Sequence, residues 1–261
     1  MSVAAGVARG IDFVAEFAAA AERFAVAVGE ADLHAPVAAC PGWSTYDLVR
    51  HLGNVHAWAA TIVETGQEAV EQDDAPPSRR RRAVAEWYAA KAEDLYQVLW
   101  SADPHAPCWN FAFGVGEAGF WPRRQLHETL MHSVDLGLTD LPADLAADGV
   151  DETLTVFLKR MHDRGHPAAL TAPLALVASD VGRAWTLTPR QVRSESHGPD
   201  TEYGGPPLVV QRLYPQADRV EAPAAVLDRL LWKRVPVDHP GVRVTGDRER
   251  VATLLAGRLS A

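Results

Sequence analysis

Apolar residues recur at three- and four-residue spacing through the first part of the chain. Between Gly10 and Gly29, Phe13, Phe17, Ala20, Ala21, Phe24 and Val28 mark one face of a helix. A second helix starts sharply at Ser44, an N-cap residue, with Asp47 three positions on to complete a capping box. Its stripe is Leu48, Leu52, Val55, Ala59 and Ile62, and Gly66 ends it. After an exposed stretch with Pro76-Pro77 and Arg79 to Arg82, a third helix runs to about Trp100. A Pro/Gly-rich connector leads to a fourth helix, opened by Pro122 at its first position and running to about Leu138. A further helix covers about Val150 to His162.

The pattern changes after Pro167. Ala168 to Val177, Arg183 to Leu187, Arg219 to Ala222 and Val242 to Val244 read as strands. Pro223 to Val235 and Asp247 to Leu259 read as helices. The expected class is α+β: a helical bundle over residues 1–165, then a small α/β domain over 166–261.

Composition narrows the function. The 261 residues are 48% hydrophobic and 23% charged, as in folded domains. The net charge of −9 argues against nucleic acid as a partner. No run is long enough to span a bilayer, and the N-terminus lacks a signal-peptide pattern. Two cysteines, Cys40 and Cys108, make no disulfide framework and suit a cytoplasmic protein. Ten histidines invite a search for metal chemistry.

Several motifs compete. Gly114 to Gly119 spells G-x-G-x-x-G, but between helices rather than between strand and helix, so it reads as a glycine loop and not a dinucleotide site. His127-Glu128-Thr129-Leu130-Met131-His132 is one residue longer than the zinc-protease motif. Its two histidines fall about 140° apart around a helix, too far to grip one ion together. Glu128 and His132, four apart, share a face and can chelate. They lie away from the Leu126, Leu130 and Val134 stripe, so a solvated Arg124–Glu128 ion pair is the competing reading. His51, between Leu48 and Leu52, points inward, either as a third ligand or as a core histidine bonded to a neighbour. His56 lies off the stripe and reads as partly exposed. His162 and His166 form a rival pair, broken by Gly165 and Pro167. Cys40 has no assignable base, and neither a G-x-S-x-G elbow nor a P-loop occurs.

The run Cys40 to Ser44, continued by Asp47 to Gly53, resembles a known family. So do Phe120-Trp121, Arg123-Arg124, His127-Glu128 and His132 to Asp135, and more loosely Leu230 to Arg234 with Val242 to Asp247. Together they are similar to the mycothiol-dependent maleylpyruvate isomerase family of the DinB-like superfamily. The resemblance implies a DinB-like four-helix bundle holding a divalent ion, usually zinc. The ligands carried over by position are His51, Glu128 and His132. It further implies that mycothiol, a cysteinyl pseudodisaccharide thiol, is activated as thiolate and attacks an electrophilic small molecule. In an isomerase the thiolate adds to a conjugated cis double bond, the new single bond rotates, and thiol is expelled from the trans product. In an S-transferase the thiol stays attached.

The resemblance also implies an anion-binding catalytic arginine in the C-terminal domain, matched by Arg234. Two positions depart from the family pattern: Ser133 stands where arginine is common, and Lys233 where glycine is common. A non-catalytic metal- or ligand-binding module and a metal hydrolase are the alternatives. A monomer or homodimer is expected.

Overall fold

The computed structural model describes residues 10–192, 202–203 and 206–260. Residues 1–9 of the expected bundle, and 193–201, 204–205 and 261 of the expected C-terminal domain, lie outside them. The chain divides into two compact units, with the change at residues 140/141.

The first unit holds α1 (Phe13–Glu30), α2 (Thr45–Thr65), α3 (Arg81–Ser101) and α4 (Phe120–Asp135). α1 packs on α3 and α4, and α2 packs on the same two, so the order around the bundle is α1-α3-α2-α4. Capping fixes where α2 begins and ends. The Ser44 and Asp47 side chains and backbones bond reciprocally, and Gly66 closes the helix in the left-handed region. Gly53 lets α2 approach α3 closely, because a Cβ there would sit 2.3 Å from the Trp87 ring.

Between α3 and α4 the G-x-G-x-x-G stretch departs from the expected loop. Its residues form β2 (Gly114–Glu117), paired antiparallel with β1 (Pro107–Asn110) in a hairpin. Backbone pairing overrides the weak strand propensity of glycine. The indole of Trp121 donates to Trp109 O at 3.0 Å, tying the hairpin to the start of α4. α4 begins at Phe120, so Pro122 is its third residue rather than its first. Proline still fits there, since the first turn has no acceptor for its amide.

The second unit starts with α5 (Ala143–Glu152), a π-helical turn (Thr153–Phe157) and α6 (Leu158–Asp163). A five-stranded mixed sheet follows, in the order β7-β4-β3-β8-β9. Its strands are β3 (Leu174–Ala178), β4 (Arg183–Thr188), β7 (Leu208–Val210), β8 (Asp218–Ala222) and β9 (Arg243–Thr245). β5 (Gln191–Val192) and β6 (Glu202–Tyr203) form a separate short pair. Among the described residues, only the β3–β8 pairing is parallel. α7 (Ala224–Leu231) packs on β3, β8 and α5, and α8 (Arg248–Ala256) on β9.

The helix expected over about Val150 to His162, placed with the bundle of residues 1–165, is thus α5, the π-helical turn and α6, and belongs with the sheet unit. Polar bonds show why. The buried Asp151 carboxylate of α5 accepts from Trp185 Nε1 of β4 at 2.9 Å and from Gln211 Nε2 at 2.6 Å. Phe157 meets Trp232 edge-on at 4.9 Å. Neither partner is visible in a local periodicity.

Candidate metal centre

α2 and α4 lie side by side in the first unit and bring His51, Glu128 and His132 together. His51 Nε2 stands 3.6 Å from Glu128 Oε1, and His132 Nε2 stands 3.4 Å from the same oxygen. One donor atom from each residue lies within 4.8 Å of the others. Ligands about 2.1 Å from a tetrahedral ion are about 3.4 Å apart, so these spacings suit one. Two imidazoles and a carboxylate are donors that zinc accepts.

The surroundings orient each donor. His132 Nδ1 bonds Asp135 Oδ2 at 2.9 Å, and the Asp135 side chain is 1% exposed. That contact fixes the tautomer with Nε2 turned toward Glu128. Arg124, one turn before Glu128, bonds its Oε2 and leaves Oε1 facing the two histidines. The His51 ring packs against Trp43 at 4.9 Å and meets the His132 ring edge-on at 5.4 Å. Burial opposes ionisation of Glu128, but the Arg124 guanidinium and contacts from His132 and His51 hold its carboxyl well below the usual range. Burial also opposes charge on His132, yet Asp135 and Glu128 outweigh it and raise its pKa.

Two expectations need correction. The Arg124–Glu128 pair exists but is not solvated: the Arg124 side chain is 3% exposed. α4 is buried on almost every side, so a single apolar stripe does not mark its inner face. His56 is not partly exposed but fully buried. α2 packs against two helices and carries a second buried row through Val49, Gly53, His56 and Ala60.

The His56 ring bridges the bundle. Its Nδ1 bonds Gln125 Oε1 at 2.8 Å and its Nε2 contacts Tyr88 Oη at 3.2 Å. Burial pushes its pKa down to about 4. His51, by contrast, keeps a side chain 30% exposed. Sequence reasoning assigned no role to Asp135, although the i, i+3 spacing from His132 was a readable signal.

His162 and His166 join no group of metal-capable donors among the described residues. Arg234, in the second unit, donates from Nη1 to Trp232 O at 2.8 Å. With Lys233, Leu230 and Leu255 it lines a cavity of about 360 Å³. Ser133 is buried and donates to Thr129 O at 2.7 Å, within its own helix.

Residues 14–137 match the mycothiol maleylpyruvate isomerase N-terminal domain family, and residues 144–253 match the MDMPI C-terminal domain family. The fold is similar to a crystal structure of the mycothiol-dependent maleylpyruvate isomerase, with a TM-score of 0.58 and 13% identity over 90% of this chain and 92% of that one. A histidine-to-alanine mutant of that isomerase gives the same TM-score at 11% identity, over 90% and 92% of the two chains. No curated protein sequence matches. Both units are thus accounted for, and the chain belongs to the mycothiol-dependent maleylpyruvate isomerase family.

Proposed function

We propose that this chain is a mycothiol-dependent isomerase acting on a maleyl-type substrate, with a divalent ion held by His51, Glu128 and His132. The observation that carries the metal centre is the convergence of these three donors on one point between α2 and α4. Two imidazoles and one carboxylate favour zinc. When bound, the ion supplies Lewis-acid stabilisation of a thiolate at neutral pH.

The protein's own groups do the rest. Asp135 keeps the proton of His132 on Nδ1, so that Nε2 offers its lone pair. Arg124 engages one carboxylate oxygen of Glu128 and leaves the other as donor. Three protein ligands leave room for the sulfur of mycothiol. Arg234 is the group assigned to a substrate carboxylate, by residue type and by the family resemblance. With Ser133 at a position where arginine is common, no cation stands there to bind substrate. S-transfer to another electrophile is therefore assayed beside isomerisation. A cytoplasmic enzyme fits this reading. No helix among the described residues is long and apolar enough to cross a membrane.

The test is purification without chelators, metal analysis, and incubation with mycothiol and maleylpyruvate or a panel of alkylating electrophiles. Turnover that needs both metal and mycothiol is the expected result. Turnover that persists without thiol would overturn the proposal in favour of a metal hydrolase, and turnover unaffected by chelation would remove the metal from the chemistry.

A further inference from the structure

The two nitrogens of His132 face different groups. Nε2 faces Glu128 and His51; Nδ1 faces Asp135. On the Nδ1 side a third metal-capable side chain is present, Cys40, from the connector before α2. Its Sγ lies 3.9 Å from Asp135 Oδ2, which in turn lies 2.9 Å from His132 Nδ1. One donor atom from each of Cys40, His132 and Asp135 lies within 4.8 Å of the other two. Among the described residues this is the one such group besides the centre above.

From this geometry we infer a second metal site, formed by Cys40, Asp135 and His132, that takes a thiophilic divalent cation such as zinc, cobalt or cadmium. Sulfur, imidazole nitrogen and carboxylate oxygen are all zinc ligands, at about 2.0–2.3 Å from the ion. Donors at those bond lengths stand about 3.3–3.8 Å apart, so the present spacings need shifts of only about an ångström. The thiolate makes this set softer than the His51–Glu128–His132 set and biases it toward thiophilic ions. Cys40 is part-exposed, which gives an ion access from solvent.

With the first site filled, binding releases two protons to solvent, one from the Cys40 thiol and one from His132 Nδ1; with the first site disabled, only the Cys40 proton is released. With both sites filled, the His132 ring bridges the two ions as imidazolate, so the second ion binds more weakly than the first. If the first site is disabled, the ring proton moves to Nε2, where Glu128 accepts it, and Nδ1 is available. The second site therefore stands whether or not the first is correct.

The test is a cobalt(II) titration of the full chain, with no added thiol, for wild type, Cys40→Ser, Cys40→Ala and His51→Ala. Far-ultraviolet circular dichroism checks that each is folded. A thiolate-to-cobalt charge-transfer band is expected in wild type at excess cobalt and at lower cobalt in His51→Ala. Both Cys40 variants should lack it. Cys108 is 1% exposed and belongs to no metal-capable group among the described residues, so it does not supply the band. No thiolate band in wild type or His51→Ala at saturating cobalt would overturn the inference. So would a band undiminished in the Cys40 variants.

Discussion

Acid should unfold this protein partly through His56. An unfolded histidine titrates near 6.5, whereas burial pushes His56 down to about 4 in the folded chain. Between those values the unfolded chain takes up a proton that the folded chain refuses. Stability therefore falls as pH drops from about 6.5 to about 4, and this group adds no further loss below that. The full gap corresponds to about 3 kcal/mol, and most of it is reached by about pH 4.5. His132 works in the other window: its raised pKa contributes stability below about pH 6.5 that is lost as pH rises through the folded value. The assay is urea unfolding of metal-free full-length chain at neutral pH and near pH 4.5, comparing wild type with His56→Gln. The glutamine amide can keep the Gln125 contact but cannot titrate. Wild type should lose about 2–3 kcal/mol more than the variant between the two pH values. An NMR titration of the histidine ring protons gives the same answer directly, with the His56 signal identified by its loss in the variant. Equal acid sensitivity in both proteins, or a His56 signal titrating near 6.5, would refute the reasoning.

Three further substitutions probe the site and its frame. Asp135→Asn removes the carboxylate that orients His132 Nδ1, and should weaken metal binding about 10- to 100-fold in a chelator-competition assay; unchanged affinity would contradict that role. Gly53→Ala forces the Trp87 ring aside and should destabilise the chain by about 1–3 kcal/mol in thermal or urea unfolding. Lys233→Gly should be neutral or stabilise by up to about 1 kcal/mol, because Lys233 sits at φ 60° just after α7, in the left-handed region glycine adopts freely; a clear loss of stability would show that its Nζ contact to Ala256 O matters more than backbone strain.

Position 233 illustrates what the sequence could disclose. The resemblance expects glycine there, and the backbone conformation gives the physical reason. Much of the secondary structure was equally legible: the Ser44–Asp47 cap, the Gly66 stop and strands β3, β4, β8 and β9 all depend on local chemistry, whereas β7 was not foreseen. Tertiary choices were not. His56 lies off the apolar stripe of α2, yet a second neighbouring helix buries it in a row with Val49, Gly53 and Ala60. Asp148, Asp151 and Glu152 are acidic residues of α5, yet all three are buried in the second unit. Within the candidate centre, spacing showed that Glu128 and His132 can chelate. The i, i+4 and i, i+3 spacings also allowed Arg124 on Glu128 and Asp135 on His132; they did not show that both pairs are buried beside the donors, which depends on the neighbours of α4.

The most direct test of the metal centre is stoichiometric binding at one equivalent of zinc, by competition against a chromophoric chelator, each variant also carrying Cys40→Ser so that the inferred second site cannot take the ion. Wild type should bind one ion per chain. His51→Ala, Glu128→Gln and His132→Ala should each weaken binding by about two orders of magnitude or more, exceeding the loss expected for an orienting residue. No binding by wild type, or wild-type affinity in any of the three variants, would contradict the assignment.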